Sequence, residues 1–178
     1  MWQISDVETF GKIGEDLVGS MVEHGFRSFA LLNGHGGNIN KISLMAEKLR
    51  YRSGPPLKVV GITYWHLIAE EIRAIRESPL GGMGHACELE TSLTLATRPE
   101  LVRRERMEAD GPTLLSRFEG RDMFAPGVVS IIKPFKELSR HGGLGDPTTA
   151  SAKKGERIFA AIVSKLAEVV REIQSGAL

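Results

Sequence analysis

The chain has 178 residues, enough for one domain with a hydrophobic core, and we expect a single domain over residues 1–178. The 23 lysines and arginines nearly balance 22 aspartates and glutamates, so the formal net charge of +1 gives no basis for binding nucleic acid or an anionic membrane. The one cysteine, Cys87, cannot form an internal disulfide, no leader-like segment opens the chain, and no apolar run approaches the ~20 residues of a membrane-spanning helix. These features predict a soluble, cytoplasmic protein with a small, roughly neutral partner.

Helical and strand-like segments alternate in the first 76 residues. Each predicted strand is a short apolar run next to glycine or proline, and each predicted helix repeats apolar residues every three or four positions. The predicted order is a helix from the capping pair Ser5 and Glu8 to Gly25, a strand over 26–32, a helix over 39–51, a strand over 57–63 and a helix over 67–76. Such alternation predicts parallel strands covered by helices, with ligands bound beyond the carboxyl ends of the strands.

The rest of the chain contains only one further predicted strand. We predict a helix over 88–96, a helical turn over 99–107, a strand over 127–132 (GVVSII), a loop over 133–147 and a helix over 150–174. A typical sheet has ~4 to 6 strands. Three strands are therefore few, which indicates that part of the sheet is missing from the prediction.

The stretch NGHGGN, residues 33–38, follows the first predicted strand. Glycine allows a ligand to approach the main chain, and a neutral imidazole such as that of His35 can bind a transition metal or transfer a proton. The alternative is a hydrogen-bonded turn histidine. The spacing matches neither a phosphate-binding loop nor a dinucleotide fingerprint, so nucleotide binding is poorly supported.

A second polar segment, GMGHACELETS, covers residues 82–92. His85 and Glu88 are three positions apart, and on a helix they would share one face and address one ion or substrate. Glu90 would point elsewhere and serve as an internal carboxylate. Cys87 is predicted to be a small buried residue, because neighbouring side chains seldom reach the geometry of a nucleophile and its base.

Together, LLNGHGGN (31–38) and HACELETSLTLATRPELV (85–102) resemble the creatininase family of metal-dependent amidohydrolases. The stretches VEHGFRSFALLNGHGGN, TYWHL and GDPTTASAKKGERI extend the resemblance over nearly the whole chain. It implies an α/β fold, a three-layer sandwich with a mostly parallel sheet flanked by helices, of which this chain is the C-terminal portion. It also implies homo-oligomers and a two-metal site that holds zinc or manganese.

The same resemblance implies roles for individual residues. His35 corresponds to a metal ligand and His85 to the histidine that assists catalysis near the scissile bond. Some members carry a ligand glutamate where this chain has Gly37; members with glycine there carry one in the second motif, which corresponds to Glu88. The predicted substrate-binding residues are Gly36, Gly37 and Asn38, through backbone N–H groups, and Trp65, for which a core position is the alternative.

The chain also departs from the family pattern. Members carry an E-x-H-G segment and a later aspartate as further ligands, and no such segment stands ahead of the first helix here. The resemblance therefore implies an incomplete metal site, since two ions need more ligands than His35 and Glu88. Possible substitutes are His24, His66, His141 and Asp146, and a structural role is the alternative for each.

Two functions follow from these observations. The first is a metal-dependent amidohydrolase in which metal-activated water attacks a small-molecule amide, whether cyclic amide, formamide or peptide-like, and His85 protonates the leaving nitrogen. The alternative is a non-catalytic, truncated paralogue that acts as a binding or partner subunit. Substrate, metal and subunit number stay open at this level.

Overall fold

The computed structural model describes residues 6–51, 54–111, 116–129 and 131–178. These residues form two compact units, the first up to Leu67 together with Leu166–Leu178 and the second Ile68–Lys165. The helices are α1 (Val7–Glu23), α2 (Ile39–Arg50), α3 (Tyr64–Leu67), α4 (Ala69–Ile75), α5 (Glu88–Thr97), α6 (Phe135–Leu138) and α7 (Ala152–Ser175), with 3-10 helices at Gly36–Asn38, Pro99–Leu101 and Arg104–Arg106. The strands are β1 (Ser28–Asn33), β2 (Lys58–Thr63), β3 (Met83–His85), β4 (Arg121–Asp122), β5 (Ala125–Pro126) and β6 (Leu144–Gly145).

The first unit contains the predicted parallel pair of strands. β1 and β2 pair in register from Ser28 opposite Lys58 to Asn33 opposite Thr63. Asp6 is the N-cap of α1, and its carboxylate accepts hydrogen bonds from the Glu8 N–H at 2.8 Å and the Thr9 hydroxyl at 2.7 Å. The predicted cap, Ser5, lies outside the described residues. One cluster of buried core residues in this unit consists of Val18, Phe29, Ile42, Met45, Leu49 and Leu57.

The second unit is built from short antiparallel pairs and helices. β3 pairs with β6, and β4 pairs with β5. The Asp122 carboxylate accepts hydrogen bonds from Arg76 at 2.9 Å and from the Gly81 N–H at 2.8 Å, so it holds the loop that enters β3. The most buried apolar side chains of the second unit are Ile68, Ile72, Met83, Leu89, Leu95 and Ile158.

Three predictions from the sequence differ from the structure. The predicted strand over 127–132 is wrong in its described residues, which are irregular and expose Val128 and Ile132 at 86% and 92%. The predicted loop over 133–147 contains α6 and β6, and the helix predicted over 67–76 is α4, which begins only at Ala69, while Leu67 ends α3. A short apolar run alone does not determine secondary structure. The single-domain interpretation stays a prediction. No described helix combines the length and apolar character needed to cross a membrane.

Candidate active site

The glycine turn begins at the paired ends of β1 and β2. Asn33, 2% exposed, donates from Nδ2 to the Thr63 hydroxyl at 3.2 Å and accepts the His35 N–H on Oδ1 at 3.1 Å. One amide side chain therefore ties both strand ends to the start of the turn. This confirms that the turn lies at the carboxyl edge of a parallel pair.

His35 precedes the 3-10 helix and is half-buried. Among the described residues its imidazole nitrogens make no hydrogen bond, so the ring is available to a ligand. The N–H groups of Gly36 and Gly37 open the helix, where no preceding turn supplies an acceptor. The N–H of Asn38 donates to the His35 carbonyl at 3.0 Å, which removes it from the donors predicted for substrate.

The aromatic stretch after β2 forms α3. Trp65 is 3% exposed, and its ring packs edge-on against Tyr64 at 5.0 Å and His66 at 5.7 Å between centroids. This burial supports the alternative of a core side chain. A contact between Trp65 and substrate stays a prediction.

His85 ends β3 and lines a cavity of about 390 Å³ in the second unit. Its half-buried ring packs edge-on against Phe135, with 5.2 Å between centroids. The polar and charged side chains of the wall are His85, Glu90, Thr91, Thr94, Arg106, Glu108, Asp110 and His141. Two imidazoles and three carboxylates therefore share one cavity, and they offer both proton donors and acceptors.

The backbone next to His85 is strained. Ala86 has φ +50°, the only positive φ of a non-glycine residue in the part of the chain that the structure describes. Its N–H donates to Glu90 Oε2 at 2.5 Å. Glu90 was predicted to be an internal carboxylate; it is half-buried in the cavity wall and stabilises the main chain that presents His85.

Glu88 is not part of that wall. It is 1% exposed, and its carboxylate accepts hydrogen bonds from Lys154 Nζ at 2.6 Å, the Glu77 N–H at 2.9 Å and the Ser78 N–H at 2.8 Å. The prediction that His85 and Glu88 share a helix face is wrong, because His85 belongs to β3 and α5 begins only at Glu88. A spacing of three aligns side chains only within a helix.

The Glu88–Lys154 pair shifts the pKa of both groups. Burial alone would raise the pKa of Glu88, but the bonds from Lys154 and Ser78 outweigh burial, and the pKa lies below its usual value. Burial would lower the pKa of Lys154, yet the Glu88 carboxylate raises it. Both groups are therefore charged at neutral pH.

Asp110 organises a further part of the cavity wall. Its Oδ2 accepts hydrogen bonds from the Ser139 hydroxyl at 2.9 Å, the Arg140 N–H at 2.7 Å and the His141 N–H at 2.8 Å. Burial would raise the pKa of Asp110, but these bonds bring it far below its usual value. His141 Nε2 lies 3.3 Å from Glu108 Oε2. The candidate His141 thus lines the cavity on a segment that Asp110 holds.

The other residues considered as substitute metal ligands either form local hydrogen bonds or lie at the exposed surface. Asp146 accepts both the N–H and the hydroxyl of Thr148, which is the turn chemistry given as its alternative. His24 caps the end of α1 and is exposed, as is His66. Cys87 is fully buried, as predicted, and burial raises its pKa to about 11, which leaves little thiolate at neutral pH.

The described residues fit a metal only in part. His35 fits, since its ring nitrogens have no hydrogen-bond partner among the described residues and imidazole is a suitable ligand for zinc. Glu88 fits only if Lys154 leaves it. Among the residues that the structure describes, no group of three or more His, Cys, Asp or Glu is arranged to hold a metal ion.

The sequence profile of the family described as creatininase, creatinine amidohydrolase, matches residues 4–170. The chain belongs to the creatininase family. The creatinine amidohydrolase of Pseudomonas putida is 31% identical over 166 residues, which cover 89% of this chain and 60% of that protein. The mycofactocin precursor peptide peptidase of Mycobacterium tuberculosis is 35% identical over 144 residues, 77% of this chain and 45% of that protein.

Solved structures share the fold. A putative creatinine amidohydrolase from Bacteroides fragilis has a TM-score of 0.75 at 26% identity, covering 95% of this chain and 62% of that chain. A manganese creatininase has a TM-score of 0.73 at 30% identity, covering 94% and 64%. A mutant creatininase of the Zn–Zn type has a TM-score of 0.71 at 30% identity, covering 94% and 64%. The chain thus has the α/β fold of these creatininases, the three-layer sandwich predicted from the sequence.

The chain spans about 60% of the length of the Pseudomonas relative and less than half of the mycobacterial one. The two relatives carry different activities in their names, one on creatinine and one on a peptide precursor. Family membership therefore does not by itself identify a substrate.

Proposed function

We propose that the chain is a metal-dependent amidohydrolase that hydrolyses a C–N amide bond of a small molecule. Membership of the creatininase family supports the reaction type. The observation that carries the proposal is the half-buried ring of His85 in the wall of a cavity, beside a strained backbone. Strain of this kind concentrates at functional sites.

The proposed proton donor is His85. Hydrolysis of an amide requires protonation of the departing nitrogen, and an imidazole can donate that proton. The N–H groups of Gly36 and Gly37 are proposed to bind the substrate carbonyl. When bound, a divalent metal such as zinc or manganese would lower the pKa of a coordinated water. His35 is proposed to bind that metal, and Glu88 as a second ligand stays a prediction of the resemblance.

Creatinine is the first substrate to test, and short peptides are the second, because the relatives are named for these two kinds of amide. The purified chain would be assayed with each substrate in the presence of Zn²⁺ or Mn²⁺. The substitution His85→Ala should lower kcat by at least about 100-fold, the usual effect of removing a general acid. His24→Ala, at an exposed position at the end of α1, is the matched control and should retain activity.

Metal content gives a reading that does not depend on turnover. His35→Ala should reduce the zinc or manganese retained after dialysis, whereas His24→Ala should not. Equal metal content in the two variants would contradict the proposed ligand role of His35. Homo-oligomers and a cytoplasmic location stay proposals, to be checked by light scattering and cell fractionation.

A second function, a non-catalytic subunit that binds a partner, is favoured by one observation. The carboxylate of Glu88 is already bonded to Lys154 and two backbone N–H groups, so it is not free for a metal. The same assays separate the two functions. Folded protein with no metal retention and no amide hydrolysis would support the subunit.

A further inference from the structure

A buried ion pair joins α5 and α7 within the second unit. Lys154 Nζ lies 2.6 Å from Glu88 Oε1 and 2.6 Å from the Thr149 carbonyl oxygen, and 3.1 Å from Glu77 Oε1. Glu88 is 1% exposed and Lys154 is 8% exposed. Burying two charges is costly unless the remaining hydrogen bonds are complete, and such pairs often specify one arrangement. The Glu88–Lys154 pair is therefore expected to hold the segment around it in one arrangement.

The ion pair fixes both ends of the segment that carries His85. Glu88 opens α5 three positions after His85, and its carboxylate also accepts the N–H groups of Glu77 and Ser78. Those two residues belong to the loop that leads into β3. The loop before the strand and the helix after it are thus tied to one carboxylate.

The first turn of α7 packs closely on α5. The Ser151 N–H donates to Ser92 Oγ at 3.1 Å, and a Cβ added at Gly155 would lie 1.9 Å from the Ser92 carbonyl oxygen. Glycine is required for this close approach. The close packing of α7 on α5 therefore keeps the Lys154 side chain next to Glu88.

We propose that Lys154 is a positioning residue that acts through Glu88 to hold His85 at the cavity wall, and that Glu88 is its counterion rather than a metal ligand. The part played by His85 in turnover rests on the proposed function. The placement of the His85 ring does not, so it can be measured on an inactive chain.

The test compares two neighbouring lysines on α7. Lys154→Met removes the buried charge, and Lys153→Met makes the same change at an exposed position that forms no ion pair among the described residues. The readouts are the ¹H–¹³C imidazole signal of His85, assigned with His85→Ala, and kcat and KM for creatinine well below the melting temperature.

Lys154→Met should shift the His85 signal and lower kcat on the order of 10- to 100-fold, as expected when a catalytic group is misplaced by about 1 Å, with little change in KM. Lys153→Met should change neither. A merely structural role would lower the melting temperature and leave kcat of the folded fraction intact. An unmoved His85 signal in Lys154→Met would overturn the proposal.

A double-mutant cycle tests the route through Glu88. If Lys154 acts through Glu88, the variant E88Q/K154M should lose no more kcat than the worse single variant. Losses that multiply would contradict the route. E88Q/K154M also leaves no unpaired buried charge. If K154M does not fold, the His85 signal is instead compared between E88Q/K154M and the unmodified chain.

Metal analysis separates this proposal from the proposed function. E88Q should retain as much zinc or manganese as the unmodified chain, while His35→Ala should retain less. Loss of metal in E88Q, with metal kept in K154M, would make Glu88 a ligand and refute its role as counterion. If no amide is hydrolysed by the unmodified chain, the proposed function fails, and the His85 signal still decides whether Lys154 positions the ring.

Discussion

The two motifs of this chain are built in opposite ways. The glycine turn after β1 depends on backbone geometry and one buried amide, Asn33, and it leaves the imidazole of His35 without a hydrogen-bond partner among the described residues. The segment around His85 is held by buried charges, with Glu88 bonded to Lys154 and Asp122 bonded to Arg76. An open turn can accept a ligand at little cost. A segment locked by ion pairs can only present the side chains that already line the cavity, here His85 and Glu90.

A glycine-to-alanine substitution should give the largest difference in the free energy of unfolding between the glycine turn and the segment around His85. At Gly155 the new Cβ would lie 1.9 Å from the Ser92 carbonyl oxygen, whereas at Gly34 nothing lies within 4 Å. Gly155→Ala should lower the free energy of unfolding by about 2 to 3 kcal/mol, because overpacking against backbone outweighs a gain of about 1 kcal/mol in helix propensity.

Gly34→Ala is the matched control and should change the free energy of unfolding by less than about 0.5 kcal/mol. Urea titration of both variants measures the difference. Equal midpoints would mean that the docking of α7 on Ser92 is not as close as the structure has it.

The next largest effect should be on the pH dependence of the free energy of unfolding, because ionised groups hold the segment around His85. The pKa of Glu88 is below its usual 4.5 in the folded chain, so its contribution is full above about 4.5 and is lost as pH falls through the lowered value. The pKa of Lys154 is above its usual 10.5, so its contribution is full below about 10.5 and is lost as pH rises through the raised value.

Urea midpoints measured from pH 2 to pH 12 should therefore form a plateau between those limits. Glu88→Gln should flatten the fall on the acid side, because the glutamine side chain has no proton to take up. Lys153→Met should leave the profile unchanged. Acid limbs that run parallel in the E88Q variant and the unmodified chain would contradict a buried, ionised Glu88.

The smallest effect concerns Cys87, beside the locked segment. Its pKa of about 11 leaves roughly one thiol in a thousand ionised at pH 8, and the side chain is fully buried. A thiol reagent such as Ellman's reagent should react with none of the folded chain within minutes and with one thiol per chain in guanidinium chloride. Rapid labelling of folded protein would show that this segment opens readily.

Much of the secondary structure could be predicted because it depends on neighbouring residues. The helix predicted over 39–51 is α2, and the one predicted over 88–96 is α5, each within one residue. The two strands were found as β1 and β2 for the same reason. The strand predicted over 127–132 is wrong, since an apolar run becomes a strand only if another strand pairs with it.

The candidate site was predictable in its residue types and less so in their arrangement. The sequence alone determined the family and the turn that carries His35, because motif residues and short spacings are local features, and it predicted His85 as the catalytic residue. Only the tertiary structure decided that Glu90 lines the cavity while Glu88 is turned to Lys154, 66 positions away. The left-handed backbone at Ala86 changes the direction of the chain between β3 and α5, and the partner that neutralises a buried carboxylate is chosen by packing rather than by spacing.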